Sequence, residues 1–155
     1  MNFLSENNPN QSSKTSQIGK SGEQIAADYL EAAGYRIVVC NFTAPIGRSR
    51  NGATVKGEID IVAVDGETLC FIEVKTRTSD DFADPIVNVD RRKQAVISRT
   101  AGVYRTLFGL GEIKYRYDVV TLVTGNNESP KIRLYKGFWS DRKRQIKRID
   151  NSDIF

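Results

Sequence analysis

Two β-rich runs flank the dipeptide Asp65-Gly66, and this pattern constrains the fold more than any other feature of the chain. Residues 57–64 read Gly-Glu-Ile-Asp-Ile-Val-Ala-Val, and residues 67–75 read Glu-Thr-Leu-Cys-Phe-Ile-Glu-Val-Lys. An Asp-Gly pair between two such runs is the strongest short-range signal of an antiparallel hairpin. The sequence therefore predicts two adjacent strands that are joined by a tight turn.

Asp60, Glu73 and Lys75 are predicted to share one face of this hairpin in either of two registers. A two-residue turn at that dipeptide makes the two acids diagonal neighbours, whereas a four-residue loop places them directly opposite each other. Lys75 follows Glu73 by two residues, so its side chain points to the same face. Glu58 also lies on the face of Glu73, either as a supporting group or as a ligand in place of one of the others.

This cluster of two acids and a lysine is suited to metal-dependent cleavage of phosphodiester bonds. Two close carboxylates repel each other unless a cation lies between them, and oxygen ligands favour Mg²⁺ or Mn²⁺. A neighbouring ammonium group can orient a water molecule or stabilise the charge that develops on phosphorus. A lone Glu-x-Lys is more often a solvated pair, but both acids here interrupt apolar strands, where an unpaired carboxylate is costly to bury. We therefore expect a catalytic centre.

The absence of histidine from the 155 residues excludes Ser-His and Cys-His catalysis and histidine-bound metal centres. A net charge of +4 and a pI near 9.1 fit a polyanionic partner without requiring one. No apolar run is long enough for a membrane span or a signal peptide, so we expect a cytoplasmic protein. Cys40 and Cys70 lie in apolar patterns and are expected to be buried free thiols.

The remaining elements are predicted in the order α, β, β, β, α, β, β around the hairpin. Residues 18–33 have helical periodicity, and a second helix begins at Asn88 or Asp90 with an apolar stripe that runs to Phe108. The other strands are predicted at residues 35–41, 115–124 and 131–135.

Three polar or basic segments are predicted to lie outside these elements. Residues 43–56 contain Pro45 and several basic residues, and they are expected to form a mobile loop that either approaches a phosphate backbone or is merely solvated. Residues 1–17 are expected to be disordered and residues 140–155 to form a basic tail. One nuclease-like domain then spans residues 18–139.

These segments resemble the YraN family of uncharacterised bacterial proteins, within the PD-(D/E)xK restriction-endonuclease-like nuclease superfamily. The resemblance covers residues 19–123 and rests on Gly-Glu-Ile-Asp-Ile at 57–61 and Phe-Ile-Glu-Val-Lys-Thr-Arg at 71–77. Shorter matches are Gly22-Glu23, Lys93-Gln94 and Tyr-Asp-Val-Val at 117–120. The resemblance implies an α/β fold with a restriction-endonuclease-like αβββαβ core, in which helices flank a mixed central sheet.

The resemblance also implies roles for individual residues. Asp60 and Glu73 would hold Mg²⁺ or Mn²⁺, and Lys75 would assist the attacking water. Glu23 corresponds to an acid that some superfamily members use as a further metal ligand or positioning group, although a charge at a helix start needs no function. Gln94 matches a second-helix glutamine of several nuclease branches, or it is an exposed polar residue.

A nucleic-acid partner follows from this interpretation, with DNA favoured over RNA and DNA repair or recombination as the expected process. The residues expected to bind flanking phosphates are Arg77, Arg91, Arg92 and Lys93. The competing hypothesis is a non-catalytic module that binds nucleic acid or protein, because some superfamily members bind without cutting. The segment before Gly57 is longer than is usual in the family, and residues 136–138 match its ending only loosely. Asp118 interrupts an apolar strand and could equally pair with Arg116 or with a neighbouring lysine.

Overall fold

The computed structural model describes residues 21–78, 88–125 and 129–141. Within these ranges the chain forms helices α1 (Gly22–Ala32) and α2 (Arg91–Leu107) and strands β1 (Arg36–Arg48), β2 (Thr54–Asp65), β3 (Thr68–Thr78), β4 (Tyr115–Thr124) and β5 (Lys131–Trp139). The predicted element order is confirmed. The segment expected to be disordered, and the expected basic tail beyond residue 141, lie outside the described residues.

The strands form one mixed sheet in the order β1-β2-β3-β4-β5. Strands β3 and β4 run parallel, and the other neighbouring pairs are antiparallel. A parallel pair requires a crossover connection, and α2 lies in the segment between β3 and β4. The chain thus has the predicted α/β fold with a restriction-endonuclease-like αβββαβ core.

Each helix packs on its own apolar cluster. Leu30 of α1 lies in a cluster with Ile72, whereas Tyr104 of α2 lies in a second cluster with Phe71. Because Phe71 and Ile72 are consecutive on β3, the two clusters lie on opposite faces of the sheet. No helix in the described ranges is both long and apolar enough to cross a membrane.

Polar side chains cap both helices at their N-termini. The Ser21 hydroxyl accepts a hydrogen bond from the backbone N–H of Gln24 at 3.2 Å, and the Asp90 carboxylate accepts one from Lys93 at 2.9 Å. Each bond satisfies a backbone donor that the first turn of a helix leaves unpaired. The second helix was predicted to begin at Asn88 or Asp90, and Asp90 is the residue that caps it.

The hairpin adopts the register in which the two acids approach each other directly. Val64 pairs with Leu69 and Asp65 with Thr68, so the turn residues are Gly66 and Glu67 rather than the Asp65-Gly66 of the simplest prediction. Gly66 has a φ of 61°, as the first central position of a type II′ turn requires. The strands pair in the register predicted for the four-residue loop, but the loop itself has only two residues.

The prediction of a mobile loop at residues 43–56 is wrong. β1 continues to Arg48 and pairs with β2 down to Thr54, which leaves only residues 49–53 as a connection. Pro45 is tolerated because β1 is an edge strand, and the pairing shifts register between Pro45 and Gly47. The extra length seen in the sequence therefore extends a strand.

Smaller differences occur at three positions. β5 reaches Trp139, four residues beyond the predicted strand. Phe108 is 58% exposed and ends the apolar stripe of α2 outside the core. Cys70 is buried as expected, but Cys40 is exposed because it lies on the edge strand.

A close contact between α2 and β2 explains the glycine of the Gly-Glu-Ile-Asp motif. A Cβ added at Gly57 would overlap the Thr100 hydroxyl of α2. This hydroxyl donates a hydrogen bond to the Val96 carbonyl at 2.7 Å and is therefore held in place. Only glycine lets the helix lie this close to the strand that bears Asp60.

Candidate active site

The two predicted acids mark the point at which β2 and β3 separate. The paired register of these strands ends at Ile61 and Ile72, and Asp60 and Glu73 are the next residues along each strand. Instead of continuing the ladder, the Asp60 carboxylate accepts a hydrogen bond from the backbone N–H of Val74 at 2.7 Å. This bond fixes Asp60 against the strand that bears Glu73.

β2 also changes the face that it presents at Asp60. Ile61 packs in the cluster beneath α1, whereas Ile59 packs in the cluster beneath α2. Residues two apart on a regular strand would point to the same face, so the backbone is irregular between them. Asn41, across from this point on β1, has a left-handed φ of 55°. The faces presented by β2 therefore switch at Asp60.

Glu73 is a buried carboxylate with incomplete hydrogen bonding. The residue is 4% exposed, and its Oε2 atom has no hydrogen-bond partner within the described part of the chain. Burial, and then the negative charge of Asp60, raise its pKa to about 6 from an ordinary 4.5, against the opposing charges of Lys93 and Lys75. The two acids therefore interact electrostatically, as the hairpin predicted.

Two lysines flank this carboxylate. Lys75 Nζ lies 3.7 Å from Glu73 Oε1, and Lys93 Nζ lies 3.4 Å from Glu73 Oε2. Both lysine side chains remain about one-third exposed, so their ammonium groups lie between the buried acid and solvent. The cluster thus joins a buried negative pair to cations that can also reach an incoming anion.

The contact of Lys93 with Glu73 was not predicted, because Lys93 was expected only to bind phosphate. The structural reason is topological. In a parallel β-α-β unit the crossover helix begins near the carboxyl end of the first strand, which is where Glu73 and Lys75 lie on β3. The Asp90 cap then fixes Lys93 in the first turn of α2. The Asp90 cap and the crossover position of α2 together could have predicted this contact from the sequence.

Glu23 and Gln94 are not joined to the acids by a described contact. Glu23 lies half-buried in the first turn of α1, where its charge, after desolvation, helps to raise the pKa of the Cys40 thiol. The Gln94 amide donates a hydrogen bond to the Val89 carbonyl at 2.8 Å. Within residues 21–78, 88–125 and 129–141, no three His, Cys, Asp or Glu side chains form a group that could hold a metal ion. The roles of Glu23 and Gln94 stay predictions.

The predicted phosphate-binding residues lie on β3 and in the first turn of α2, the two elements that meet at Glu73. Arg77 is exposed near the end of this strand, and Arg91 and Arg92 are exposed in the first turn of α2. Together with Lys75 and Lys93 they form a basic rim, defined here by these five residues. Such a rim attracts a polyanion without reading its sequence.

The two other acids that the sequence left open lie elsewhere. Glu58 is exposed and lies between Gly57 and Ile59, which both face α2, so its side chain points to the opposite face of the sheet from Glu73, which shares the face of Phe71. Asp118 is fully buried and accepts hydrogen bonds from Arg116 at 2.9 and 3.0 Å, which confirms the pairing considered from the sequence. Neither residue belongs to the candidate site.

The carboxylates of Asp60 and Glu73 are the groups that could hold a divalent cation here. A buried carboxylate oxygen that accepts no hydrogen bond from the described residues and faces only an exchangeable ammonium at 3.4 Å, beside a second carboxylate, fits the oxygen ligands that Mg²⁺ and Mn²⁺ prefer. Two protein carboxylates are also the usual number for Mg²⁺, which keeps several waters. The donor set therefore fits the predicted metal.

Comparison with known proteins adds the family of the chain. The uncharacterised protein family UPF0102 matches residues 22–122. A UPF0102 protein of Chlorobaculum parvum is 43% identical over 121 residues, which cover 77% of this chain and 84% of the relative. Relatives of the same name from Syntrophus aciditrophicus (42% identical, 77% and 86% covered) and Paenarthrobacter aurescens (38%, 77% and 91%) match a similar extent.

Proposed function

The chain belongs to the uncharacterised protein family UPF0102, also called YraN, and from this premise and its acid cluster we propose that it is a metal-dependent nuclease. The substrate would be a nucleic acid, with DNA favoured over RNA and DNA repair or recombination as the process. Both Gly-Glu-Ile-Asp and Glu-Val-Lys, the segments that bear the cluster, lie within the family match.

The observation that supports this proposal most is the environment of Glu73. Glu73 is 4% exposed and lies within the field of a second acid, and among the described residues its Oε2 has a long ion pair with Lys93 at 3.4 Å but no well-formed hydrogen bond. A carboxylate in these surroundings is unfavourable for the fold. Strongly perturbed acids in such surroundings are typical of functional sites. A structural role alone would have been better served by a fully hydrogen-bonded acid.

The side chains have separable roles in the proposed reaction. Asp60 and Glu73 would hold Mg²⁺ or Mn²⁺, which when bound polarises a phosphate oxygen and lowers the pKa of a bound water. The Val74 N–H holds the Asp60 carboxylate in place. Lys75, beside Glu73, can orient the attacking water by hydrogen bonding, and Lys93 can neutralise charge on the phosphate.

The basic rim would supply most of the affinity for substrate. Two of its cations contact Glu73 and the other three follow on the same two elements, so we expect a phosphate backbone bound to the rim to reach Glu73. Binding of this kind weakens steeply with added salt and is largely independent of sequence.

Cleavage of a substrate panel by the purified protein tests the proposal. Single-stranded, flapped, branched, nicked and duplex DNA, and the matching RNAs, would be incubated with Mg²⁺, with Mn²⁺ or with EDTA. We expect metal-dependent cleavage that Glu73→Ala abolishes and that Glu67→Ala, a matched change in the exposed hairpin turn, leaves unchanged. Cleavage that persists in EDTA or in Glu73→Ala would refute the assignment.

The two lysines beside Glu73 favour a second candidate function, a non-catalytic binding module. Lys75 and Lys93 already place positive charge next to the carboxylate, as a bound metal would. Calorimetric titration with Mn²⁺ separates the candidates, because the nuclease requires metal binding that Asp60→Asn abolishes. A module would bind nucleic acid with unchanged affinity in the presence and absence of the metal.

A further inference from the structure

A cavity of about 470 Å³ opens beside the candidate active site. One wall is a single face of α2, and the other follows the end of β5; the lining residues are Arg91, Gln94, Ala95, Ser98, Trp139, Ser140 and Asp141. This volume lies within the range of small-molecule sites in proteins and exceeds what one flat heterocycle needs. Apart from Arg91, which belongs to the basic rim, the lining of the cavity has no role in the reaction described above.

An immobilised indole forms the aromatic part of the cavity. Trp139 stacks on Tyr117 with ring centroids 4.8 Å apart and planes 4° from parallel. Its Nε1 donates a hydrogen bond to the Ser98 hydroxyl at 3.3 Å, and Tyr117 beneath it is 1% exposed. The ring is thus held on one face and at its nitrogen, so an aromatic group that enters the cavity meets a fixed surface rather than a mobile side chain.

Polar groups of both signs surround the indole. The Asp141 carboxylate is fixed by the hydroxyls of Tyr115 (2.6 Å) and Tyr117 (3.0 and 3.1 Å) and keeps acceptor capacity. The Gln94 amide uses a donor on the backbone, which leaves its carbonyl oxygen to accept. Arg91 offers donors at the mouth. The edge of a nucleobase presents donors and acceptors together, and a purely apolar ligand would leave these groups unpaired.

The position of the cavity relative to the acid cluster links it to a polymer substrate. Lys93, which contacts Glu73, and Gln94, which lines the cavity, are consecutive residues. Arg91 belongs both to the cavity lining and to the basic rim. We therefore expect a phosphate backbone bound to the rim to pass the cavity close to Glu73.

We propose that this cavity binds an unstacked nucleobase next to the phosphate that is cut, with Trp139 as the stacking platform. The inference rests on the proposed nuclease function and specifies its substrate class as nucleic acid with unpaired bases, such as single strands, flaps or bulges. A base held in a continuous duplex cannot enter, because it stays stacked between its neighbours.

Fluorescence of Trp139 reports on this binding directly, because the chain contains one tryptophan. The full-length protein would be titrated in EDTA and low salt with a single-stranded deoxyoligonucleotide, with the same strand containing abasic sites, and with its duplex. We expect quenching by the single strand and markedly less by the abasic strand and the duplex. Equal quenching by all three, or none, would overturn the proposal.

A cavity-filling variant removes the dependence on Trp139 itself. Ala95 lines the cavity and is exposed on α2, so Ala95→Leu narrows the space without disturbing the core. We expect it to bind the single strand about tenfold more weakly, as loss of one stacked base would, with little change for the abasic strand. The control is Ala32→Leu, the same change at an exposed position of α1, which should bind like wild type. If both variants weakened binding equally, or if neither weakened it, the result would contradict a base site.

The two proposals fail in distinguishable ways. Base-dependent quenching in EDTA without any metal-dependent cleavage would keep the base site and reject the nuclease. Metal-dependent cleavage of continuous duplex, unaffected by Ala95→Leu, would keep the nuclease and reject the base site.

Discussion

Two buried carboxylates lie on neighbouring strands of the sheet and differ in how completely they are hydrogen-bonded. Asp118 of β4 pairs in register with Ile72, the residue before Glu73 on β3. Asp118 is fully buried and accepts hydrogen bonds from Arg116, from the Gly137 N–H at 2.8 Å and from Tyr35 at 3.4 Å. Glu73 has ion pairs at 3.4 and 3.7 Å and an oxygen without a hydrogen bond in the described residues.

This difference distinguishes an acid that stabilises the fold from an acid that remains available to bind a ligand. Arg116 binds both Asp118 and Asp65, and although burial opposes its charge, these hydrogen bonds hold the pKa of Arg116 above its ordinary value. The Asp118 group is therefore complete without a ligand. Glu73 keeps unused acceptor capacity where the strands separate and cations border solvent, which is the state expected of a ligand-binding carboxylate.

Breaking the Asp118 network should give the largest effect on stability. Arg116→Met leaves a fully buried carboxylate without its cation, and removal of one partner of a buried pair typically costs about 3–5 kcal/mol. We expect a loss of that size in the free energy of unfolding, measured by urea denaturation. Arg133→Met, at an exposed position of β5, serves as the control and should change it little. A loss below about 1 kcal/mol would show that Asp118 is not held as the structure indicates.

Substitution of Glu73 is expected to increase the free energy of unfolding, the opposite of the effect at Arg116. The folded-state pKa of Glu73, about 6, lies above the ordinary 4.5, so ionisation of the buried carboxyl destabilises the fold. Glu73→Gln should therefore raise the free energy of unfolding in metal-free buffer by about 1–2 kcal/mol at neutral pH.

The pH dependence gives the sharper form of this prediction. Below 4.5 the carboxyl is protonated in both states and the variant has no advantage. The advantage develops between 4.5 and about 6, where the carboxyl is ionised in the unfolded state but not yet in the folded state, and it is constant above that range. Urea denaturation across this range measures it, with Glu67→Gln in the exposed turn as the control. A destabilised Glu73→Gln at neutral pH would mean that the two lysines fully compensate the carboxylate, and the contrast with Asp118 would disappear.

Much of the fold and the centre of the site follow from local sequence signals. Alternating apolar residues around Asp65 and Gly66 specify a hairpin, and both possible registers bring Asp60 and Glu73 together. The β4 bounds match the prediction, because its apolar run is bounded by turn residues. Local periodicity was sufficient to predict the existence and type of the elements that bury one or both faces.

The features that the sequence did not predict depend on the position of a strand in the sheet. Pro45 and Gly47 indicate a loop unless the strand is known to be an edge, where both are tolerated. The contact of Lys93 with Glu73 and the stacking of Trp139 on Tyr117 join segments more than 15 residues apart. Such contacts follow only once the crossover of α2 and the pairing of β5 are known.

A smaller loss is expected when one of the two lysines is removed. Lys93→Met takes away the cation that lies 3.4 Å from Glu73 Oε2, and the ionised carboxylate becomes less well compensated. Because the lysine is about one-third exposed, we expect a loss of only about 0.5–1 kcal/mol at neutral pH and none at low pH, where Glu73 is neutral. Arg99→Met on the same helix is the control. An equal loss at both pH values would indicate lost helix packing rather than an ion pair.

An equally small effect tests whether the Asp118 network depends on its outer hydrogen bonds. The Tyr35 hydroxyl accepts from Arg116 at 2.8 Å and donates to Asp118 at 3.4 Å, and the second distance is long for a hydrogen bond. Tyr35→Phe keeps the ring in the core, so we expect a loss of about 0.5–1 kcal/mol in urea denaturation. Tyr29→Phe, whose ring packs against the same cluster, controls for loss of a tyrosine hydroxyl. A loss as large as that of Arg116→Met would move the main support of Asp118 from the guanidinium to the phenol, whereas no loss would show that Arg116 and Gly137 satisfy the acid alone.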